Sequence, residues 1–143
     1  NSTGSHAVFQ CNHIADSGGG SAYLLHNSNG CLYKFDPNTN NDAGTAILCE
    51  LVTNRYDMDT MARKFMHNAK IVGDRYTSNS VSLSWSDNDY QSWSNTKTIS
   101  LSDDYPAFQR LGAFRRRAFR IQHSSDNPLR LESLEVTYTE GEY

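Results

Sequence analysis

The sequence predicts an all-β protein built around an antiparallel β-sandwich. Two observations carry this. "SVSLSWS" at 80–86 alternates without a break, with Val81, Leu83 and Trp85 on one side and Ser82, Ser84 and Ser86 on the other. Along the rest of the chain, about six short apolar runs are separated by turn-rich segments, and little of it has helical period.

Residues 1–21 read as a flexible N-terminal segment, ending in the connector "DSGGGS" at 16–21. Residues 22–45 read as a β-hairpin and linker. Two Tyr-containing apolar runs, 22–26 and 31–35, flank Asn29-Gly30, a pair suited to a type I′ turn because both central residues need positive φ. The polar run "DPNTNNDAGT" at 36–45 marks the expected boundary, and 46–143 the sandwich domain.

Within that domain "AILCELVT" at 46–53 has strand preference. The stretch 57–72 has two readings. Asp57 or Asp59 suits the start of a short helix, but Phe65, Ala69 and Ile71 fit period two, which favours a strand over 64–72. "TKTISL" at 96–101 repeats the alternation more weakly. "FRRRAFRIQH" at 114–123 and "LRLESLEVTYTE" at 129–140 read as a strand pair turned by "SSDNP" at 124–128. In the last run Leu131 has one parity, while Leu134, Val136 and Tyr138 have the other. A β-bulge near Glu132–Ser133 reconciles them.

Composition limits function. Apolar residues make up 37% of the chain and charged residues 20%, enough apolar surface for a core. A net charge of −3 argues against general nucleic-acid binding. Cys11, Cys31 and Cys49 are odd in number and show no framework spacing, so free thiols and a reducing compartment are expected. No apolar run approaches the ~18 residues of a spanning helix.

Site chemistry is sparse. Asp36, Asn38, Asn40 and Asp42 resemble half of a calcium loop, but Asn41 stands where the central glycine belongs and Ile47 where the closing glutamate belongs. A polar connection is favoured. Cys11 and His13 with His6 or His26 match no zinc spacing. No metal, cofactor or catalytic residue is expected, and the chain reads as a non-enzyme.

"SDNDYQSW" at 86–93 resembles the Asp-box hairpin turn S-x-D-x-G-x-T-W. Asp87, Ser92 and Trp93 are retained, and Asp89 and Tyr90 stand at the glycine positions. Such turns are structural, with the aspartate expected to accept from turn amides and the tryptophan to pack. Tyr90, Trp93 and Tyr105, with Trp85, offer a second reading as an aromatic ligand platform.

Arg115, Arg116, Arg117 and Arg120 are the remaining candidates. On one strand, Arg115 and Arg117 share a face with Phe119 and Ile121 and so emerge at the rim of the core. Arg116 and Arg120 lie outside. Cross-strand pairing with Glu132 and Glu135 is expected, leaving the other arginines to meet a partner subunit.

The segments "SLSWSDNDYQSWSNTKTISL" and "RLGAFRRRAFRIQHSSDNPLRLESLEVTY" together resemble the C-terminal region of packaged-DNA-stabilisation, or tail nozzle, proteins of short-tailed phages. Trp85, Asp87, Trp93, Gly112, Arg115, Arg117, Phe119, Arg120 and Pro128 carry the likeness, which spans roughly 22–140. The resemblance implies a virion structural protein assembled in the host cytoplasm, in a homo-oligomeric ring of tail subunits. It implies no membrane association, and nucleic-acid contact only through the assembled channel. It also implies that the 22–45 hairpin is a fragment of one β-propeller blade, and that the chain is the C-terminal part of a longer protein. A carbohydrate- or receptor-binding sandwich of a phage or secreted protein is the alternative.

Overall fold

The computed structural model describes residues 11–16, 18 and 21–141, and these divide into two compact units, up to Thr39 and from Asn40 onward. The division falls inside the polar 36–45 run. His6 and parts of the Gly-rich connector lie outside the described residues.

The first unit is a three-stranded antiparallel sheet of β1 (Cys11–Asp16), β2 (Ala22–His26) and β3 (Leu32–Lys34), in that order. The expectation of a loose N-terminal segment fails over Cys11–Asp16, which pairs with β2 through a bulge between Cys11 and His13. The β2–β3 connection is also not a two-residue turn. Gly30 takes φ 68°, but Asn29 does not take positive φ. The loop is longer, closed by His26 N–H donating to the Cys31 carbonyl at 3.0 Å. The His26 ring nitrogen accepts the amides of Ser28 and Asn29, a local competitor that selects the wider loop. Two successive positive φ values occur instead at Ala43 and Gly44, between the two-residue strands β4 (Asn41–Asp42) and β5 (Thr45–Ala46).

The second unit is the sandwich. One sheet is built on β7 (Lys64–Gly73), which pairs along its whole length with β13 (Leu131–Glu140). On its other side β7 pairs with β10 (Ala107–Gln109) and β11 (Ala113–Phe114). The other sheet has the order β6 (Cys49–Val52), β12 (Ala118–His123), β8 (Ser80–Ser86), β9 (Lys97–Ser100). Met66, Ala69, Ile71, Phe108 and Phe114 from the first sheet meet Val81, Leu83, Phe119 and Ile121 from the second in one buried cluster. Trp85 continues the Val81–Leu83 face but is only partly buried, at the end of that cluster.

Two bulges set the register. Leu131 pairs with Gly73 and Ser133 with Val72, so Glu132 is the extra residue, where the parity change requires it. The second lies on β7, where Asn68 pairs with Thr137 and Met66 with Tyr138, passing over His67. It changes which residues face inward. Met66, Ala69 and Ile71 are buried, while Phe65, expected beside Ala69 and Ile71, is 45% exposed.

The largest correction concerns 114–123. It is not one strand, and it is not paired with 129–140. Phe114 ends β11 in one sheet and Ala118 begins β12 in the other, so Arg115–Arg117 cross between sheets. The 124–128 segment makes a second crossing. His123 anchors it, with Nδ1 3.0 Å from the Ser80 carbonyl and Nε2 3.0 Å from the Asn127 carbonyl. The predicted pairing of these arginines with Glu132 or Glu135 is therefore absent. Glu132 bonds Arg130, and Glu135 lies 3.7 Å from Lys70.

Candidate functional site

The crossing arginines meet the β8–β9 loop at one end of the sandwich. Arg117 is not at a rim. It is 1% exposed, and its guanidinium grips Asp87 through both edges, Nε to Oδ1 at 2.7 Å and Nη2 to Oδ2 at 2.8 Å. Nη1 donates to the Leu111 carbonyl at 2.7 Å. The Phe114 ring lies 4.4 Å from its central carbon and the Trp85 ring 5.2 Å. Its backbone exchanges hydrogen bonds with Tyr56 in both directions. The planar fork suits this role, because its donors leave in fixed directions that match a carboxylate and a carbonyl at once.

Beside it Lys64 is fully buried. Its ammonium donates to the carbonyls of Thr60, Ala62 and Arg115, and lies 5.7 Å from the far-shared Phe114 ring. Phe114 thus touches two buried cations, of which only Arg117 has a carboxylate.

The β8–β9 loop confirms the hairpin reading and corrects its chemistry. Asp87 does not serve the turn amides, since it is taken by Arg117. Ser86 Oγ accepts the Tyr90 amide at 3.0 Å, and Asn88 Oδ1 accepts the Ser92 amide at 3.0 Å. Asp89 and Tyr90 both take left-handed φ, 61° and 67°. The geometry of the glycine positions is kept without glycine, at roughly 1–2 kcal/mol for tyrosine and less for aspartate.

Their side chains have other duties. Asp89 Oδ2 accepts from Arg116 at 2.6 Å, and Arg55 Nη1 forms an ion pair with Oδ1 at 2.9 Å. Arg55 first, and Arg116 after it, hold the Asp89 carboxyl below its ordinary range. Tyr90 Oη donates to the Thr53 carbonyl at 3.1 Å. Arg120 lies 4.2 Å over the Trp93 ring, its Nε bonded to Ser84. Arg115 is exposed and donates to the Met61 carbonyl at 2.7 Å.

Of the four arginines proposed as partner contacts, Arg117 is therefore internal, and the other three are partly engaged within the chain. Nor does the aromatic platform assemble. Tyr90 and Trp93 are neighbours at 6.1 Å, in the loop before β9. Tyr105 follows β9, at its opposite end, where Lys70 covers its ring at 5.1 Å.

Arg116→Ala is expected to leave the fold intact and to cost at most ~1 kcal/mol, because its side chain is 42% exposed. A depressed carboxyl contributes stability above its unfolded pKa of about 4 and loses it as pH falls through the lower folded value. Removing Arg116 should therefore flatten the acid limb of stability against pH below about 4, measured by thermal melting. An unchanged acid limb would show that Arg55 alone sets the Asp89 carboxyl.

A feature the motifs did not reveal lies along one long side of the sandwich. β6 and β13 are the edge strands there, and neither pairs with another described strand on its outer side. Between them runs a groove of about 410 Å³, floored by Phe119 and Ile121 and walled by Leu51, Leu131, Leu134 and Val136. Leu51 and Tyr56, which line it, are 49% and 48% exposed, and β6 and the residues before it also carry Ile47, Leu48 and Val52 at 43–59%. The signal was present in "AILCELV", which is apolar at both parities, as in a strand covered on both faces. The other long side is closed, with β9 beside β10 and Lys97 Nζ donating to the Gln109 carbonyl at 2.6 Å.

In comparisons with known proteins, no family model matches the chain and no curated protein matches it significantly.

Proposed function

We propose that the chain is a non-enzymatic structural module of a phage tail, of the nozzle or DNA-stabilisation type, acting through contacts with neighbouring tail subunits. The observation that carries the contact role is the open apolar side between β6 and β13. Large exposed apolar patches on a folded domain mark interaction surfaces, and here the patch is continuous with the core. The tail assignment rests on the sequence likeness given above, and on that likeness the first unit is the remnant of a propeller blade. The proposed ring contact moves from the arginine run to the open side, since Arg117 is spent inside the fold.

The test has two parts. Mass spectrometry of purified particles of the encoding phage should find the chain in the tail. Leu51→Asp should remove it from particles while shifting the stability of the isolated chain by no more than ~0.5 kcal/mol, as for a surface substitution. Absence of the unmodified chain from particles would end the tail reading. Normal incorporation of the variant would end the role of the open side.

A further inference from the structure

The open side has two unpaired strand edges, and they are not equivalent. β13 is blunted by its bulge at Glu132 and carries Glu132, Glu135 and Glu140 along its exposed positions. Bulges and charges are the usual protection of an edge against pairing. β6 has no bulge, and Glu50 is its single charge. Thr53 N–H donates to Phe119 on β12, so by strand alternation the amides of Glu50 and Val52 point outward, away from β12. An apolar groove beside an unprotected edge is the arrangement that accepts an added strand.

The charge at this side decides what kind of strand. Glu132 lines the groove, Asp57 and Asp59 flank Met58 in its lining, and Glu50 lies on β6 itself, where Gln122 donates to it. Arg130 is already tied to Glu132 and Asp74. A second copy is a poor occupant. Its own β9 edge lies against β10, and pairing β6 with β6 about a two-fold axis would set Glu50 and the acidic surround against themselves.

We propose that the open side takes an extended segment of a different polypeptide, added antiparallel to β6, with apolar residues at alternate positions and lysine or arginine at its flanks. The alternate apolar side chains fill the groove over Phe119 and Ile121, the backbone takes the free amides of Glu50 and Val52, and the basic flanks meet the acidic surround. This rests on the open side being the contact surface of the tail module, and it names what docks there.

The probe is a synthetic peptide of about seven residues, Lys-Val-Thr-Val-Thr-Val-Lys, compared with the same peptide flanked by glutamates, each titrated into the full chain by fluorescence anisotropy. The lysine peptide should bind saturably, at least about tenfold tighter than the glutamate one, with the difference shrinking as salt rises. Hydrogen exchange at Glu50 and Val52 should slow in the complex, while Leu51, already bonded to β12, should not change. Val52→Pro removes an outward donor and should abolish binding. Glu50→Lys, at an exposed position, should reduce the preference for the lysine peptide even if the proline variant fails to fold.

Equal affinities, no saturable binding, or protection that grows with protein concentration in the absence of peptide would each overturn the proposal, the last by making a second copy the occupant. If the peptide fails to bind while Leu51→Asp still removes the chain from particles, the contact reading stands and only strand addition is lost. If the peptide binds and the chain is absent from particles, the reverse holds.

Discussion

Arg117→Ala is expected to destabilise the chain by about 3–5 kcal/mol, the range for breaking a buried ion pair from one side. The change empties a site closed by Phe114 and Trp85, frees the Leu111 carbonyl and leaves Asp87 without its bidentate partner. Arg117→Lys should recover only part of this, because one ammonium cannot span both carboxylate oxygens and the Leu111 carbonyl. Arg117→Met should cost less than alanine, since it keeps volume and removes a desolvated charge. Urea unfolding at constant m value measures all three. A loss below about 1 kcal/mol for alanine would mean that the guanidinium is not buried between the sheets.

Phe114→Ala should cost a similar amount, about 3–5 kcal/mol, from lost burial and the cavity left behind. The informative comparison is leucine. Phe114→Leu and Phe108→Leu both shrink a ring that is almost fully buried in the same sheet. Only Phe114 has a guanidinium at 4.4 Å and an ammonium at 5.7 Å. Its leucine variant should therefore lose about 1–2 kcal/mol more, the desolvated cation–π contribution. Equal losses would reduce the ring to filler.

What was legible in the sequence was local. The run 80–86 matches the bounds of β8, although its alternation holds in burial only as far as Leu83, since Ser84 and Ser86 are buried and Trp85 only partly so. The parity conflict in the last run located the bulge at Glu132. The facing of Arg117 with Phe119 and Ile121 was also correct. Its meaning was not, because the carboxylate that allows an arginine inside the core comes from Asp87, thirty residues away and in another loop. Sequence pattern shows that a residue points inward, but not what meets it there.

The crossing at 115–117 was hidden for a related reason. Phe114 and Ala118 each fit a strand, and nothing in the alternation reports that the two strands belong to opposite sheets. Proximity in sequence then suggested glutamate partners for the arginines, whereas the actual partners, Asp87 and Asp89, sit in the loop that closes the same end. The left-handed backbone at Asp89 and Tyr90 was hinted at by the glycine positions of the turn motif, though neither residue type suggests it alone.

The two bulges make this sheet unequally tolerant of genetic change. Each holds one residue more than a regular strand needs, Glu132 in β13 and His67 in β7. Without Glu132, Leu131 and Leu134 stand two positions apart and share a face of a regular strand, so the core side is kept. Without His67, Met66 and Ala69 stand in the same relation. Loss of Glu135 is a different event, because Leu134 and Val136 become neighbours and fall on opposite faces. A three-base deletion is therefore absorbed at the two bulge codons, while the same deletion between them and the strand ends turns part of a core strand inside out.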